Sequence, residues 1–157
     1  MANLYATGRI VVGAALTGFD DAVLAIALAE AHRRATALHV VHALQITDDD
    51  LRRVEASEVM DRQARQTSQR EAARAALLQA IGHLATGFGS SVPVTYQVDR
   101  ADPATFLLGA ARDAQLLVAG TRSGNGSAVT LGTVSQDVAV HAPCPVLLVP
   151  VAAVRPS

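Results

Sequence analysis

Five short apolar runs, spaced along the chain with helical stretches between them, set what this sequence can fold into. Ile10-Val11-Val12 is a β-branched run ending at Gly13, of the kind found in buried strands. Leu38 to His42 is the second run, Val92 to Val98 the third, Leu116 to Ala119 the fourth and Val146 to Val149 the fifth. Behind Asp20, a suitable N-cap, Ala22 to Ala35 carries Val23, Ile26, Ala27 and Glu30 at helical spacing. The acidic run Asp48 to Asp50 suits the positive end of a helix, and a long Ala-rich helix is expected from Leu51 to Ala85. Glu58–Arg62 and Asp61–Arg65 are i,i+4 pairs on that helix, and Leu77, Ala80, Ile81 and Leu84 form its apolar stripe.

Asp102-Pro103 is a cap followed by proline at the first helical position, opening a helix that reaches Asp113. Thr133 to His141 is a short last helix, and Pro93 near the start of the third strand marks that strand as an edge. Strands that alternate with helices require right-handed crossovers. The expected fold is therefore α/β: a single-domain, five-stranded, mostly parallel sheet with helices on both faces. One domain spans residues 1–157, with its core from about 8 to 151 and a tail at Arg155 to Ser157.

Composition removes several function classes. All thirteen basic residues are arginine, which excludes a P-loop lysine, a Schiff-base lysine and a serine–lysine dyad. A formal net charge of -1 and an aromatic content of 3% argue against nucleic-acid binding. Cys144 is the one cysteine, so no intrachain disulfide framework or multi-cysteine zinc site is available. No run of 18 apolar residues is present, so no membrane span is expected, and Met1 to Gly8 lacks the pattern of a secretory signal. These features lead to the expectation of a cytoplasmic protein.

In an open sheet of this kind, ligands bind beyond the carboxyl ends of the strands, where strand order reverses. The longest irregular stretch, Gly120 to Leu131, follows the fourth strand and precedes the helix that starts at Thr133. A helix start offers unpaired N–H groups and a positive dipole end. Thr133 and Ser135 add hydroxyls and Arg122 adds a guanidinium fork, a combination suited to phosphate. The plainer alternative is a helix cap beside a surface connection.

The stretch Gly120-Thr121-Arg122-Ser123-Gly124 to Leu131-Gly132-Thr133-Val134-Ser135, followed by His141-Ala142-Pro143-Cys144-Pro145-Val146, resembles the C-terminal signature of the universal stress protein family. Ile10-Val11-Val12-Gly13, Leu38 to His42, Asp102-Pro103-Ala104 and Ala114 to Gly120 resemble the family's first two strands, third helix and fourth strand. The resemblance implies a Rossmann-like domain related to adenine nucleotide alpha hydrolases, commonly dimeric, acting in stress survival. A subset of the family binds ATP with little or no hydrolysis.

Carried onto this chain, the implied nucleotide or phosphate site comprises Gly13, Ala14, Ala15, Ala43, Ala119, Gly120, Arg122, Ser123, Gly124, Gly132, Thr133, Val134 and Ser135. The implied ligand is ATP or AMP, with Mg²⁺ accompanying it. In the ATP-binding subset the glycine loop has the spacing Gly-x2-Gly-x9-Gly-(Ser/Thr), and an Asp just after the first strand holds the adenosine end. Here that Asp position is Ala15, the second glycine is Ser123, and eight residues separate Ser123 from Gly132. Loss of a charged acceptor costs about 1.5–3 kcal/mol, or about one to two decades of affinity. A Cβ at Ser123 restricts the backbone where phosphate approaches, although Gly124 follows immediately.

Other groups point to less. His39 and His42 are an odd number of strand positions apart and face opposite sides, which reads as strand histidines with satisfied nitrogens. No metal site is expected. Cys144 reads as an apolar filler, and no G-x-S-x-G elbow is present. If Val146 to Val149 lies at a sheet edge, pairing with the same strand of a second copy would cover it, so a homodimer is expected. The leading reading is a non-enzymatic stress-response or regulatory module with a degraded nucleotide loop. The alternative is an ATP- or AMP-binding member with altered loop register and at most slow hydrolysis. A metabolic enzyme on a related fold comes last, because no nucleophile or acid–base pair stands out.

Overall fold

The computed structural model describes residues 8–14, 20–44, 56–85, 92–122 and 133–151. Among these lie five strands: β1 (Ile10–Gly13), β2 (Leu38–Leu44), β3 (Val94–Arg100), β4 (Leu116–Arg122) and β5 (Val146–Val151). Four helices alternate with them: α1 (Asp20–Arg33), α2 (Ala56–Ala85), α3 (Pro103–Ala110) and α4 (Thr133–His141). The strands form one sheet in the order β3-β2-β1-β4-β5, and every neighbouring pair is parallel.

The order explains the layers. The chain steps outward from β1 through β2 to β3, returns past β1 to β4, and steps outward again to β5. Right-handed crossovers in opposite directions put their helices on opposite faces. One core cluster accordingly joins Ile10, Val12, Leu38, Val40 and Val118 to Leu24 and Leu28 of α1 and Leu77 of α2. The other joins Val11, Val41 and Leu117 to Leu107 of α3 and Val138 of α4. Val11 and Val12 are both fully buried, so β1 has no solvent face, and its unbroken apolar run follows from that.

Most element boundaries shift by a few residues for identifiable reasons. α1 stops at Arg33 instead of Ala35, because Ala35 adopts a left-handed conformation at φ 51°. The Thr36 N–H then bonds the Ala31 carbonyl and the Ala35 N–H bonds the His32 carbonyl, closing a Schellman turn. α3 ends at Ala110, short of Asp113, since the chain must turn to bring the Gln115 N–H onto the Arg9 carbonyl and start β4. Its start is as expected: Asp102 caps it by accepting from the Thr105 N–H, with Pro103 at the first position.

β3 begins at Val94, two residues late, because its ladder starts opposite Leu38, and Pro93 contributes only its carbonyl to the Leu38 N–H. It is an edge strand, as Pro93 predicts. The largest difference concerns β4, which runs on through Gly120, Thr121 and Arg122 in register with Val149, Pro150 and Val151. Those three residues therefore belong to the strand and not to the loop. Of the long helix, 51–55 lie outside the described residues, as do the acidic run 48–50 and the side chains of Glu58, Asp61 and Arg62, so neither the Glu58–Arg62 nor the Asp61–Arg65 pair is described.

Candidate functional site

Strand order reverses between β1 and β4, so the carboxyl ends of these two strands form the mouth that the topology favours for a ligand. β1 pairs with β4 from Ile10↔Leu116 to Val12↔Val118, so Gly13 and Ala119 are the first residues of the two strands past the end of this ladder, followed by Ala14 and Gly120. α4 follows β4, so its N-terminus stands at the same end of the sheet. A direct bond joins the two: the Ser135 hydroxyl donates to the Gly120 carbonyl at 3.0 Å. Ser135 is buried, and Val134 beside it packs against the second core cluster.

On the other side of the mouth, the exit from β1 is fixed by β2. The Ala14 N–H donates to the Val41 carbonyl at 2.9 Å, and Nδ1 of His42 donates to the Ala14 carbonyl at 2.5 Å. A carbonyl only accepts, so Nδ1 carries the proton in this contact. Gly13 is needed for packing. A Cβ there would lie 2.8 Å from Cδ2 of Leu107, a buried α3 side chain. Ala43 is one strand further out, half-buried, in register with Asp99 of β3.

The fold thus brings together Gly13, Ala14, Ala119, Gly120, Val134 and Ser135, with the backbones of Arg122 and Thr133 on the flanking elements. Ala15, Ser123, Gly124 and Gly132 lie outside the described residues, as do the side chains of Arg122 and Thr133. What the arrangement offers chemically is a pair of strand ends beside a helix start, and the first-turn N–H groups of a helix suit an anion. His42 and Leu107 were not legible as part of this end of the molecule. The signal available for His42 was a polar side chain two positions from the end of a strand whose only other polar residue is His39.

The two strand histidines do face opposite sides: alternation sets His42 with Val40 and His39 with Val41 of the other core cluster. His39 corrects the expectation of satisfied nitrogens. Its Nδ1 meets Thr95 Oγ1 at 2.7 Å, while its buried Nε2 has no partner among the described residues. Burial, and then the positive charge of Arg9, push the His39 pKa below the ordinary histidine value, against a smaller opposing contribution from the Gln97 side chain. Cys144 is partly buried against the second cluster, and burial pushes its thiol up, as suits an inert filler. No helix among the described residues is long and apolar enough to cross a membrane.

The sequence model of the Universal stress protein family matches residues 7–150. Three solved structures illustrate the likeness. Universal stress protein UspA from Lactobacillus plantarum superposes with a TM-score of 0.73 at 18% identity, over 91% of this chain and 97% of its own. The universal stress protein from Archaeoglobus fulgidus in complex with dAMP gives 0.61 at 22% identity, over 91% and 98%. A universal stress protein in complex with cAMP gives 0.64 at 19% identity, over 94% and 99%. No curated protein sequence matches the chain significantly.

Proposed function

The chain belongs to the universal stress protein family, and from that premise we propose that it is a non-enzymatic, cytoplasmic stress-response or regulatory module. Its ligand mouth lies between the ends of β1 and β4. The observation that carries this reading is the junction of Ser135 with Gly120, which ties the anion-favouring start of α4 to the strand end beside Gly13 and Ala14. Ser135 spends its proton on that carbonyl, so it acts as a positioning residue. The N–H groups of the first turn of α4 are then the groups offered to phosphate, and Arg122 at the end of β4 is of the residue type suited to it. The adenosine side is weak, since Ala15 stands where an acidic acceptor would hold the nucleoside.

Titration calorimetry with ATP and Mg²⁺ tests this. The expected result is millimolar affinity or none, with no turnover.

The second reading is an ATP- or AMP-binding member whose loop uses Gly124 in place of Ser123. Support comes from the relatives described in complex with dAMP and cAMP. Micromolar affinity, abolished by Gly132→Val, would favour it. A homodimer through β5 is also part of the proposal. β5 stands at the end of the strand order, and Leu147 on it is 36% exposed. An edge of this kind is protected when a second copy pairs with it. Sedimentation that finds only monomer at micromolar concentration would contradict the dimer.

A further inference from the structure

The hydrogen bonds of the sheet show which way the backbone of each β2 residue points. The Leu38 N–H bonds the Pro93 carbonyl and the Leu44 carbonyl takes the Ala101 N–H, so even-numbered residues of β2 turn their backbone toward β3. The Ile10 N–H bonds the Ala37 carbonyl and the Ala14 N–H bonds the Val41 carbonyl, so odd-numbered residues turn theirs toward β1. Ala43 belongs to the second set. Continued by one step, the parallel ladder would bring the Ala43 N–H onto the Ala14 carbonyl.

The ladder stops short of that step. Its last register pair is Gly13↔Val41, and β1 ends there. The Ala14 carbonyl instead accepts from Nδ1 of His42 at 2.5 Å. A side chain of β2 thus stands in for the next backbone donor of the same strand. Ala14 stays tied to β2 through both its N–H and its carbonyl, while the backbone of Ala43 faces the β1 side past the last pair. Ala14 is buried and His42 half-buried, so water competes little for this bond.

We propose that His42 is a positioning residue of the mouth. By holding the Ala14 carbonyl it ends the β1–β2 ladder at Gly13↔Val41 and keeps the Ala43 backbone turned to the nucleoside side of a bound adenine nucleotide. This rests on the mouth being a nucleotide site. The imidazole acts through Ala14 and Ala43 and has no need to touch the ligand itself.

Amide hydrogen exchange and an AMP titration, both read by NMR on the native chain and three variants, test this. Asparagine carries an amide N–H on Cγ, where Nδ1 stands in histidine; glutamine carries its own one bond further out, and leucine has none. Without ligand, the Ala43 amide should exchange at least tenfold faster than the Val41 amide in the native chain and in His42→Asn. In His42→Leu and His42→Gln the ladder gains its next pair, and Ala43 exchange should slow at least tenfold. AMP, titrated into the millimolar range, should shift the amides of residues 13–14 and 119–120. Its affinity should be kept in His42→Asn and fall at least fivefold in the other two variants. Should His42→Leu fail to fold by circular dichroism, His42→Gln, which keeps a polar side chain, carries the comparison. An Ala43 amide that exchanges alike in all the proteins, or equal AMP affinity across the variants, would overturn the proposal and leave the mouth standing. AMP shifts absent from residues 13–14 and 119–120 in every protein would overturn the nucleotide reading of the mouth, and this proposal with it.

Discussion

The hydroxyl of Ser135, in the first turn of α4, is bonded to the carbonyl of Gly120 on β4. This contact ties the first turn of α4 to the end of β4. Ser135→Ala removes a buried hydrogen bond, so stability should fall by about 1 kcal/mol, a drop in Tm of about 2–4 °C. Ser135→Thr keeps the hydroxyl and should recover most of the loss. Thermal melts of the three proteins check this.

Gly13 faces Leu107 with no room for a Cβ. Gly13→Ala should therefore destabilise by about 1–3 kcal/mol through overpacking. In a Leu107→Ala background the added methyl enters vacated space, and its effect should shrink by about 1 kcal/mol or more. A double-mutant cycle in urea measures the coupling. Additive effects would mean that the two groups do not meet.

His39 predicts a specific pH response. Its pKa in the folded chain is lowered from the ordinary 6.5, so the unfolded chain binds the proton more tightly. Stability from this group is full above pH 6.5, falls as pH drops through that value, and levels off below the folded pKa. Denaturation between pH 7.5 and 5.5 should show this loss, and His39→Leu should flatten it. A variant with the same slope as the native chain would rule out His39 as its source.

Ala35 occupies a left-handed position that glycine fills without a Cβ penalty. Ala35→Gly should stabilise the chain by about 0.5–1 kcal/mol, net of the added freedom of the unfolded state. Guanidinium melts read the shift directly.

The strand cores and their parallel arrangement were legible because β1 and the first part of β4 are buried on both faces, which writes continuous apolar runs into the sequence. Asp102-Pro103 and Pro93 were equally legible, since capping and the missing proline N–H are local chemistry. The end of β4 was not. Gly120 reads as the start of a loop, and only the ladder with β5 draws it into the sheet. The Schellman turn at Ala35 was hidden for a similar reason: nothing in an alanine announces a positive φ. At the mouth, the resemblance pointed to Gly13, Gly120 and Ser135, but the bonds of His42 to Ala14 and of Ser135 to Gly120 span 28 and 15 residues and need the fold.

The central claim is that the mouth between β1 and β4 is a nucleotide site weakened by the alanine at position 15. ATP affinity of Ala15→Asp against the native chain, by calorimetry with Mg²⁺, tests it most directly. The account predicts a gain of about one to two decades, the worth of a charged hydrogen-bond acceptor. Unchanged affinity in the variant, or a native chain that already binds ATP at micromolar concentration, would contradict it.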